Sequence, residues 1–173
     1  SCLHKLLPIA TWCSLPKYSI SSRNESAHKG EMGNVTLIGG SSDMGGAIIL
    51  AVMASASMGP GYVRCLTHEL NRIALLSQAP ETLVSHWPSI DESLVMGPGL
   101  GLSTESKNIF SQAVTYLIKH QIPSILDADA LTLLAETPSY CDHWILTPHP
   151  KEAARLLGDC SVKDIEADRQ WAV

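Results

Sequence analysis

The chain has no cluster of basic residues. Its 173 residues include 12 Lys and Arg against 17 Asp and Glu, which gives a net charge of -5, and no Lys/Arg run occurs among them. A surface of this kind has few cations with which to displace counterions from nucleic acid or to hold an anionic membrane. The sequence therefore predicts neither a nucleic-acid nor a membrane partner, and any bound phosphate must be held mainly by backbone groups.

Long apolar runs and paired cysteines are missing as well. The longest uncharged apolar stretch, residues 45–60, is too short to cross a bilayer core of about 30 Å. Residues 1–27 show no sustained periodicity and are interpreted as a linker or the tail of a preceding domain, with a signal peptide as the alternative. The cysteines form no C-x-x-C pair, which indicates reduced thiols in a cytoplasmic protein. They are Cys2, Cys13, Cys65, Cys141 and Cys160.

What the chain does contain is a repeated order of strand, loop and helix. Short runs rich in Val, Ile and Leu predict strands, most of them followed by turn-forming residues. This alternation predicts an α/β domain with a mainly parallel sheet, in which ligands bind at the carboxyl edge of the strands. The predicted strands lie near residues 35–38, 62–66, 82–84, 94–96, 124–126 and 144–146.

Two helical segments carry specific expectations. Residues 109–118 place apolar side chains on one face, behind a cap at Ser103 or Thr104. Residues 47–58 are apolar or small on every face, which predicts a helix buried in the core.

The last residues predict a further helix. Ser161 and Asp164 resemble a capping box, and the apolar pattern from Ile165 runs to Val173 without a stop signal. We therefore expect the chain to end inside a helix and the domain to be truncated at its C-terminus.

Two glycine-rich turns follow predicted strands. In GGSSDMGGA, residues 39–47, small side chains would let a ligand approach the backbone, and the helix that follows would attract an anion. Close packing of strand against helix explains these glycines equally well. The turn matches neither G-x-G-x-x-G nor G-x-x-x-x-G-K-[ST]. In MGPGLG, residues 96–101, three alternating glycines favour a planar or bulky ligand on the backbone, because a tight turn hardly needs three.

Two more strands end in polar side chains. At the end of the fifth predicted strand, an N-cap role accounts for Asp129. Asp127 could bind Mg²⁺ through water or accept a hydrogen bond from a ligand hydroxyl. In TPHPKE, residues 147–152, Pro150 and Glu152 suit the start of a helix. His149 is left over from capping, so its imidazole is a candidate ligand contact or proton shuttle.

Five motifs in order, HKGEMG, LIGGS, MGPGLG, LDADAL and ILTPHPKEAARLLG, resemble the NAD(P)H-hydrate dehydratase family over about residues 28–158. The resemblance implies a ribokinase-like α/β/α sandwich, with residues 1–27 as a linker and residues 28–173 as an incomplete domain. It implies dehydration of the S-epimer of hydrated NADH or NADPH, with ADP or ATP and Mg²⁺. A cytoplasmic homo-oligomer is expected, and an epimerase domain precedes this domain in many bacterial members.

The resemblance also implies site residues. Asp127 and Asp129 match the family's acidic strand end, where a polar or metal-linked role is expected. The family's lysine-glycine element and G-[TS]-G-D turn, whose aspartate serves as base, have no match after Gly158. The base is therefore expected beyond Val173, and this segment alone is expected to be inactive. Substrate contacts are implied at Ala47, Gly99, Gly101, His149, Pro150, Lys151, Glu152 and Arg155.

Two other functions stay open at this level. A ribokinase-like kinase for a vitamin-precursor alcohol would share the fold, although the TPHP-x-E segment favours the dehydratase. A non-catalytic remnant that binds dinucleotide or other subunits would need no late glycine-rich turn. The segment HKGEMG, residues 28–33, could place positive charge near a phosphate or form a solvated loop.

Overall fold

Six strands form one parallel sheet in the order β3-β2-β1-β4-β5-β6. The structure, a computed structural model, describes residues 28–86 and 92–168. All six predicted strands are confirmed, each bound lying within one residue of its prediction. The strands are β1 Asn34–Ile38, β2 Tyr62–Leu66, β3 Leu83–Val84, β4 Ser93–Met96, β5 Ser124–Leu126 and β6 Trp144–Leu146.

Helices cover both faces of this sheet. Side chains alternate across a strand, so Leu37 of β1 packs on one side with Ile48 and Val52. The next residue, Ile38, packs on the other side with a cluster that includes Phe110. The result is the predicted α/β/α sandwich. The helices are α1 Gly45–Ser57, α2 Arg72–Gln78, α3 Thr104–His120, α4 Asp129–Glu136, α5 Pro150–Leu157 and α6 Val162–Ala167, with 3-10 turns at Lys29–Glu31 and Glu69–Asn71.

The carboxyl ends of five strands lie side by side. The register aligns Leu66, Ile38, Met96, Leu126 and Leu146, which are the last residues of β2, β1, β4, β5 and β6. The chain builds outward from β1 through β2 to β3 and then returns to the other side of β1 at β4. This change of direction leaves a crevice between the loops after β1 and β4, which is where open α/β sheets bind ligands.

The prediction that residues 47–58 form a fully buried helix is wrong. In α1 only Ile48 and Val52 are buried, whereas Leu50 is 69% and Met58 is 78% exposed. The helix lies in an outer layer, so a single stripe of side chains reaches the sheet. By contrast, the predicted amphipathic helix is confirmed as α3, with Ser103 as its cap.

Two expectations at the ends of the domain also need correction. Helix α6 begins after the predicted Ser161 capping box but ends at Ala167, because Asp168 leaves the helical conformation. Residues 169–173 lie outside the described part, as do residues 1–27, so the division after residue 27 stays a prediction.

The HKGEMG segment lies at the amino end of the strands, where the N–H of Gly61 donates to the carbonyl of Gly33 at 2.7 Å. It is thus at the opposite edge from any phosphate bound in the crevice.

Within residues 28–86 and 92–168, no helix has the length and apolar character needed to span a membrane. The three cysteines in these ranges, Cys65, Cys141 and Cys160, are free thiols. Burial raises the pKa of the Cys65 thiol to about 12, so this side chain stays protonated and packs as an apolar group.

Candidate functional site

A cavity of about 770 Å³ opens at the carboxyl edge of the sheet, between the loops that follow β1, β2, β3 and β4. This volume lies within the usual range for small-molecule sites. Its walls combine apolar side chains with serine and threonine hydroxyls. The lining includes one Arg side chain, Arg72, and three carboxylates, Asp43, Glu69 and Glu105. Side-chain charge therefore does not favour an anion here, and a bound phosphate would need backbone N–H groups.

The β1 and β4 loops are tied to each other by their backbones. The N–H of Gly40 donates to the carbonyl of Pro98 at 3.0 Å, and the N–H of Ser41 donates to the carbonyl of Gly99. The N–H of Gly97 donates to the carbonyl of Ile38 at 3.0 Å. These three N–H groups already donate within the protein and are not available to a ligand. The first-turn N–H groups of α1 have no partner within their helix and are the nearest candidates.

The interpretation that three glycines in MGPGLG exceed the needs of a tight turn is wrong. Gly97, Gly99 and Gly101 all have positive φ, at 127°, 62° and 77°. A Cβ on Gly97 would lie 1.7 Å from the carbonyl oxygen of Asp127. Backbone geometry and the neighbouring loop thus require glycine without a ligand.

The glycines of the β1 loop divide into two kinds. A Cβ on Gly45 would lie 2.1 Å from Oδ1 of Asn71, so packing requires that glycine. A Cβ on Gly46 would have no atom within 4 Å, and Gly46 and Ala47 are both exposed. The surface at Gly46 and Ala47 is therefore open to a ligand. Close packing explains the glycine at position 45, and room for a ligand is available at position 46.

Asp129 connects the β4 loop to the β5 loop. Its Oδ2 accepts a hydrogen bond from the N–H of Gly101 at 2.8 Å. The prediction that Asp129 caps the following helix is wrong, because Ala128, with φ at 49°, occupies the cap position. No group of three or more His, Cys, Asp or Glu suited to a metal ion occurs in the described ranges, Asp127 and Asp129 included.

His149 is itself the cap of α5. Its Nδ1 accepts from the N–H groups of Lys151 at 3.1 Å and Glu152 at 3.3 Å, while Oε2 of Glu152 accepts from the N–H of His149. The inference that His149 is left over from capping is therefore wrong, although Pro150 stands at the predicted first position. Because Nδ1 accepts two bonds, the ring proton is on Nε2, which lies 3.3 Å from Oε1 of Glu152. Most of the imidazole remains exposed.

The predicted site residues lie on the loops at the carboxyl edge or on the first turns of the helices after them, except Arg155, which lies in the last turn of α5. Gly101 lines the cavity, whereas Ala47, Gly99 and the residues from His149 to Arg155 lie outside its lining. Nη1 of Arg155 donates to Oγ1 of Thr132 at 2.6 Å and so joins α5 to α4.

Sequence reasoning missed the loop after β2. Thr67, His68 and Arg72 line the cavity. The signal was present, since the polar run THELNR follows a predicted strand at the ligand edge. These residues match no motif, and for that reason they were not assigned.

Comparisons with known proteins agree with this architecture. Residues 35–173 match the family model described as NAD(P)H-hydrate dehydratase. The chain is 39% identical over 160 residues to a bifunctional NAD(P)H-hydrate repair enzyme of Vibrio cholerae, covering 87% of this chain and 31% of that protein. It is 35% identical to an ADP-dependent (S)-NAD(P)H-hydrate dehydratase of Staphylococcus aureus, covering 84% of this chain and 56% of that one.

Solved structures give the same result. A ribokinase-like superfamily protein from Enterococcus faecalis superposes with a TM-score of 0.79 at 27% identity, covering 88% of this chain and 58% of that one. An ADP/ATP-dependent NAD(P)H-hydrate dehydratase from Bacillus subtilis, co-crystallised with ATP/Mg²⁺, superposes with a TM-score of 0.72 at 29% identity, covering 87% of this chain and 56% of that one.

The fold and the loop-lined cavity define a ribokinase-like α/β protein. Within that class, the chain belongs to the NAD(P)H-hydrate dehydratase family. It spans about a third to a little over half of the length of the relatives described above.

Proposed function

We propose that this chain supplies the substrate-binding part of an enzyme that dehydrates the S-epimer of hydrated NADH or NADPH with ADP or ATP. One observation carries the proposal: the loops after β1, β4 and β5 are joined by hydrogen bonds into one continuous cradle beside the cavity. Gly40 and Ser41 bond to the β4 loop, and Gly101 of that loop bonds to Asp129. These bonds hold the loops rigid beside the exposed start of α1, whose first-turn N–H groups suit a ligand whose charge lies in its phosphates.

In this proposal the exposed start of α1 approaches the substrate at Gly46 and Ala47, where its first-turn N–H groups meet a phosphate. Gly99, Gly101 and the segment from His149 to Arg155 complete the contacts, and the Nε2–H of His149 donates to the ligand. The terminal phosphoryl group of the nucleotide is transferred to the hydrate hydroxyl. Phosphate then leaves with the electrons of its C–O bond, and the adjacent ring carbon loses a proton, which restores the double bond of the nicotinamide ring. We assign no residue of this chain as the base.

Residues 28–86 and 92–168 contain no group of three or more His, Cys, Asp or Glu that could hold a metal ion, and Oδ2 of Asp129 accepts from the N–H of Gly101. We therefore derive no step through the metal that is expected to accompany the nucleotide. Cytoplasmic location, a homo-oligomer and an attached epimerase domain are proposed with the activity. Their support is the free thiols of the described residues, the exposed Leu50 of α1 and Met58 at its C-cap, and the bifunctional relatives.

The decisive experiment is a titration of the purified chain with the separated S- and R-epimers of hydrated NADH, monitored by calorimetry. We expect saturable binding with a preference for the S-epimer, and no return of reduced-nicotinamide absorbance when ADP or ATP is added. Binding of neither epimer at millimolar concentration would refute the proposal. Phosphorylation of a vitamin-precursor alcohol by the same chain with ATP would instead establish the kinase alternative.

A further inference from the structure

Asn71 is a buried polar residue beside the cradle but outside the cavity. It ends the 3-10 turn after β2 and is 8% exposed. It does not line the cavity, although its neighbours His68 and Arg72 do. Any effect of Asn71 on a ligand must therefore act through another part of the protein.

The side-chain amide of Asn71 binds two successive carbonyl groups of the β1 loop. Nδ2 donates to the carbonyl of Gly40 at 2.9 Å and to that of Ser41 at 3.0 Å, and it lies 3.1 Å from Oγ1 of Thr67. The Thr67 hydroxyl and the N–H of His68 also donate to the Gly40 carbonyl, each at 3.0 Å. The loop after β2 thus supplies three donors to one carbonyl oxygen.

The side-chain oxygen of Asn71, Oδ1, packs against the start of α1. Oδ1 of Asn71 would lie only 2.1 Å from a Cβ on Gly45, the first residue of α1, and Nδ2 would lie 3.1 Å from a Cβ on Gly40. The Asn71 side chain therefore fills the space between the end of β1 and the start of α1. It contacts both ends of the turn that joins them.

We propose that Asn71 is a positioning residue that sets the orientation of the peptide groups in the glycine-rich turn. The N–H groups of Gly40 and Ser41 are held by the β4 loop, and their carbonyls are held by Asn71. The peptide between Gly40 and Ser41 is thus fixed at both ends, through the Gly40 carbonyl and the Ser41 N–H. The Ser41 carbonyl is held as well, so neither carbonyl can rotate toward the cavity and repel an anion. The start of α1 is held in the same arrangement. The predicted effect on ligand binding rests on the function proposed above, whereas the effect on the loop does not.

The test is Asn71→Asp, which keeps the shape but places a carboxylate against two carbonyl oxygens. The matched control is Asn34→Asp, the same change at the amino end of β1, where Asn34 is half-buried. Amide hydrogen exchange is followed at Gly40 and Ser41, with Leu37 in the middle of β1 as the internal reference. We expect exchange at Gly40 and Ser41 to quicken by about tenfold or more relative to Leu37 in Asn71→Asp, and to stay unchanged in Asn34→Asp.

A second arm measures affinity for the S-epimer of hydrated NADH, which we expect to fall about tenfold in Asn71→Asp and to change less than twofold in the control. Unchanged exchange at Gly40 and Ser41 would overturn the proposal. So would an equal increase at Leu37, because it would show a general loss of stability. If the unmodified chain binds no hydrate, the proposed function fails while the exchange result still decides the role of Asn71. If Asn71→Asp does not fold, Asn71→Ser removes the hydrogen bonds to both carbonyls without adding charge. Its amide exchange at Gly40, Ser41 and Leu37 is then compared in the same way.

Discussion

The turn after β1 and the turn after β6 both lead from a strand into a helix, but they are held in place differently. The first is fixed by other loops, since its backbone bonds to Pro98 and Gly99 and its carbonyls bind Asn71. The second is fixed chiefly by its own residues, through the reciprocal capping of His149 and Glu152. Neighbouring structure therefore determines the shape of one turn, and local sequence determines the other.

This difference changes how the glycines should be interpreted. At Gly97 and Gly99 of the β4 loop, and at Gly40 and Gly45 of the β1 turn, glycine is required because another backbone or a side chain crowds the place of its Cβ. At the end of α5, Gly158 has positive φ but open space around it. In the first region glycine is needed because loops pack closely against it. At Gly158 it is needed only because the backbone has a positive φ.

The largest expected effect is a difference in stability loss between one glycine substitution in the β4 loop and one at the end of α5. Gly97→Ala combines a φ of 127° with a Cβ 1.7 Å from a carbonyl oxygen, so we expect a loss of about 2–5 kcal/mol of stability. Gly158→Ala has a φ of 79° but meets no atom, so we expect about 1–2 kcal/mol. Urea unfolding measures both. Equal losses at the two positions would remove the distinction.

A second pair of substitutions tests the cradle at adjacent positions. Gly45→Ala collides with the hydrogen-bonded Asn71 side chain and is expected to cost about 1–3 kcal/mol. Gly46→Ala meets nothing within 4 Å and gains helix propensity, so stability should rise by up to about 1 kcal/mol. If a ligand approaches α1 as proposed, Gly46→Ala should nevertheless weaken the binding of hydrated NADH. If Gly46→Ala stabilises the protein and leaves its affinity for hydrated NADH unchanged, the ligand does not bind at the start of α1.

In the β6 turn, capping and ligand contact can be separated at His149. His149→Ala removes the acceptor for two N–H groups and should lower stability by about 0.5–2 kcal/mol. His149→Asn keeps an acceptor and should retain most of that stability, yet it lacks the Nε2–H proposed to contact substrate. Thermal unfolding and ligand titration are compared for the two variants. Full affinity in His149→Asn would limit His149 to its structural role.

The smallest effect concerns the cap of α6. Hydrogen bonds from the Ser161 side chain and then its backbone N–H lower the pKa of Asp164 below its ordinary value. Because the folded-state pKa is depressed, this cap contributes stability above the ordinary pKa and loses it as pH falls through the lowered one. An NMR titration should show the Asp164 pKa rising in Ser161→Ala. A carboxyl that titrates at its ordinary value in both proteins would contradict the assignment.

Most elements of the fold were accessible from the chain alone, and several details of the site were not. Strand bounds followed from short apolar runs, and the Ser103 and Ser161 caps followed from local spacing. The role of Asp129 was misjudged, because its partner, the N–H of Gly101, is 28 residues away in the chain. The burial of α1 was overestimated, since apolar composition does not say how many faces of a helix meet other elements.

The sequence by itself determined the order of strands and helices, the caps at Ser103 and Ser161 and the family, because these depend on patterns within a few residues and on motifs in a fixed order. Only the tertiary structure decided that Asp129 accepts from the N–H of Gly101, that three glycines of one turn are required by geometry, and that Asn71 holds two carbonyls of the neighbouring loop. The physical reason is that parallel strands bring their carboxyl ends together from distant parts of the chain. The hydrogen bonds formed there join residues that no local pattern relates.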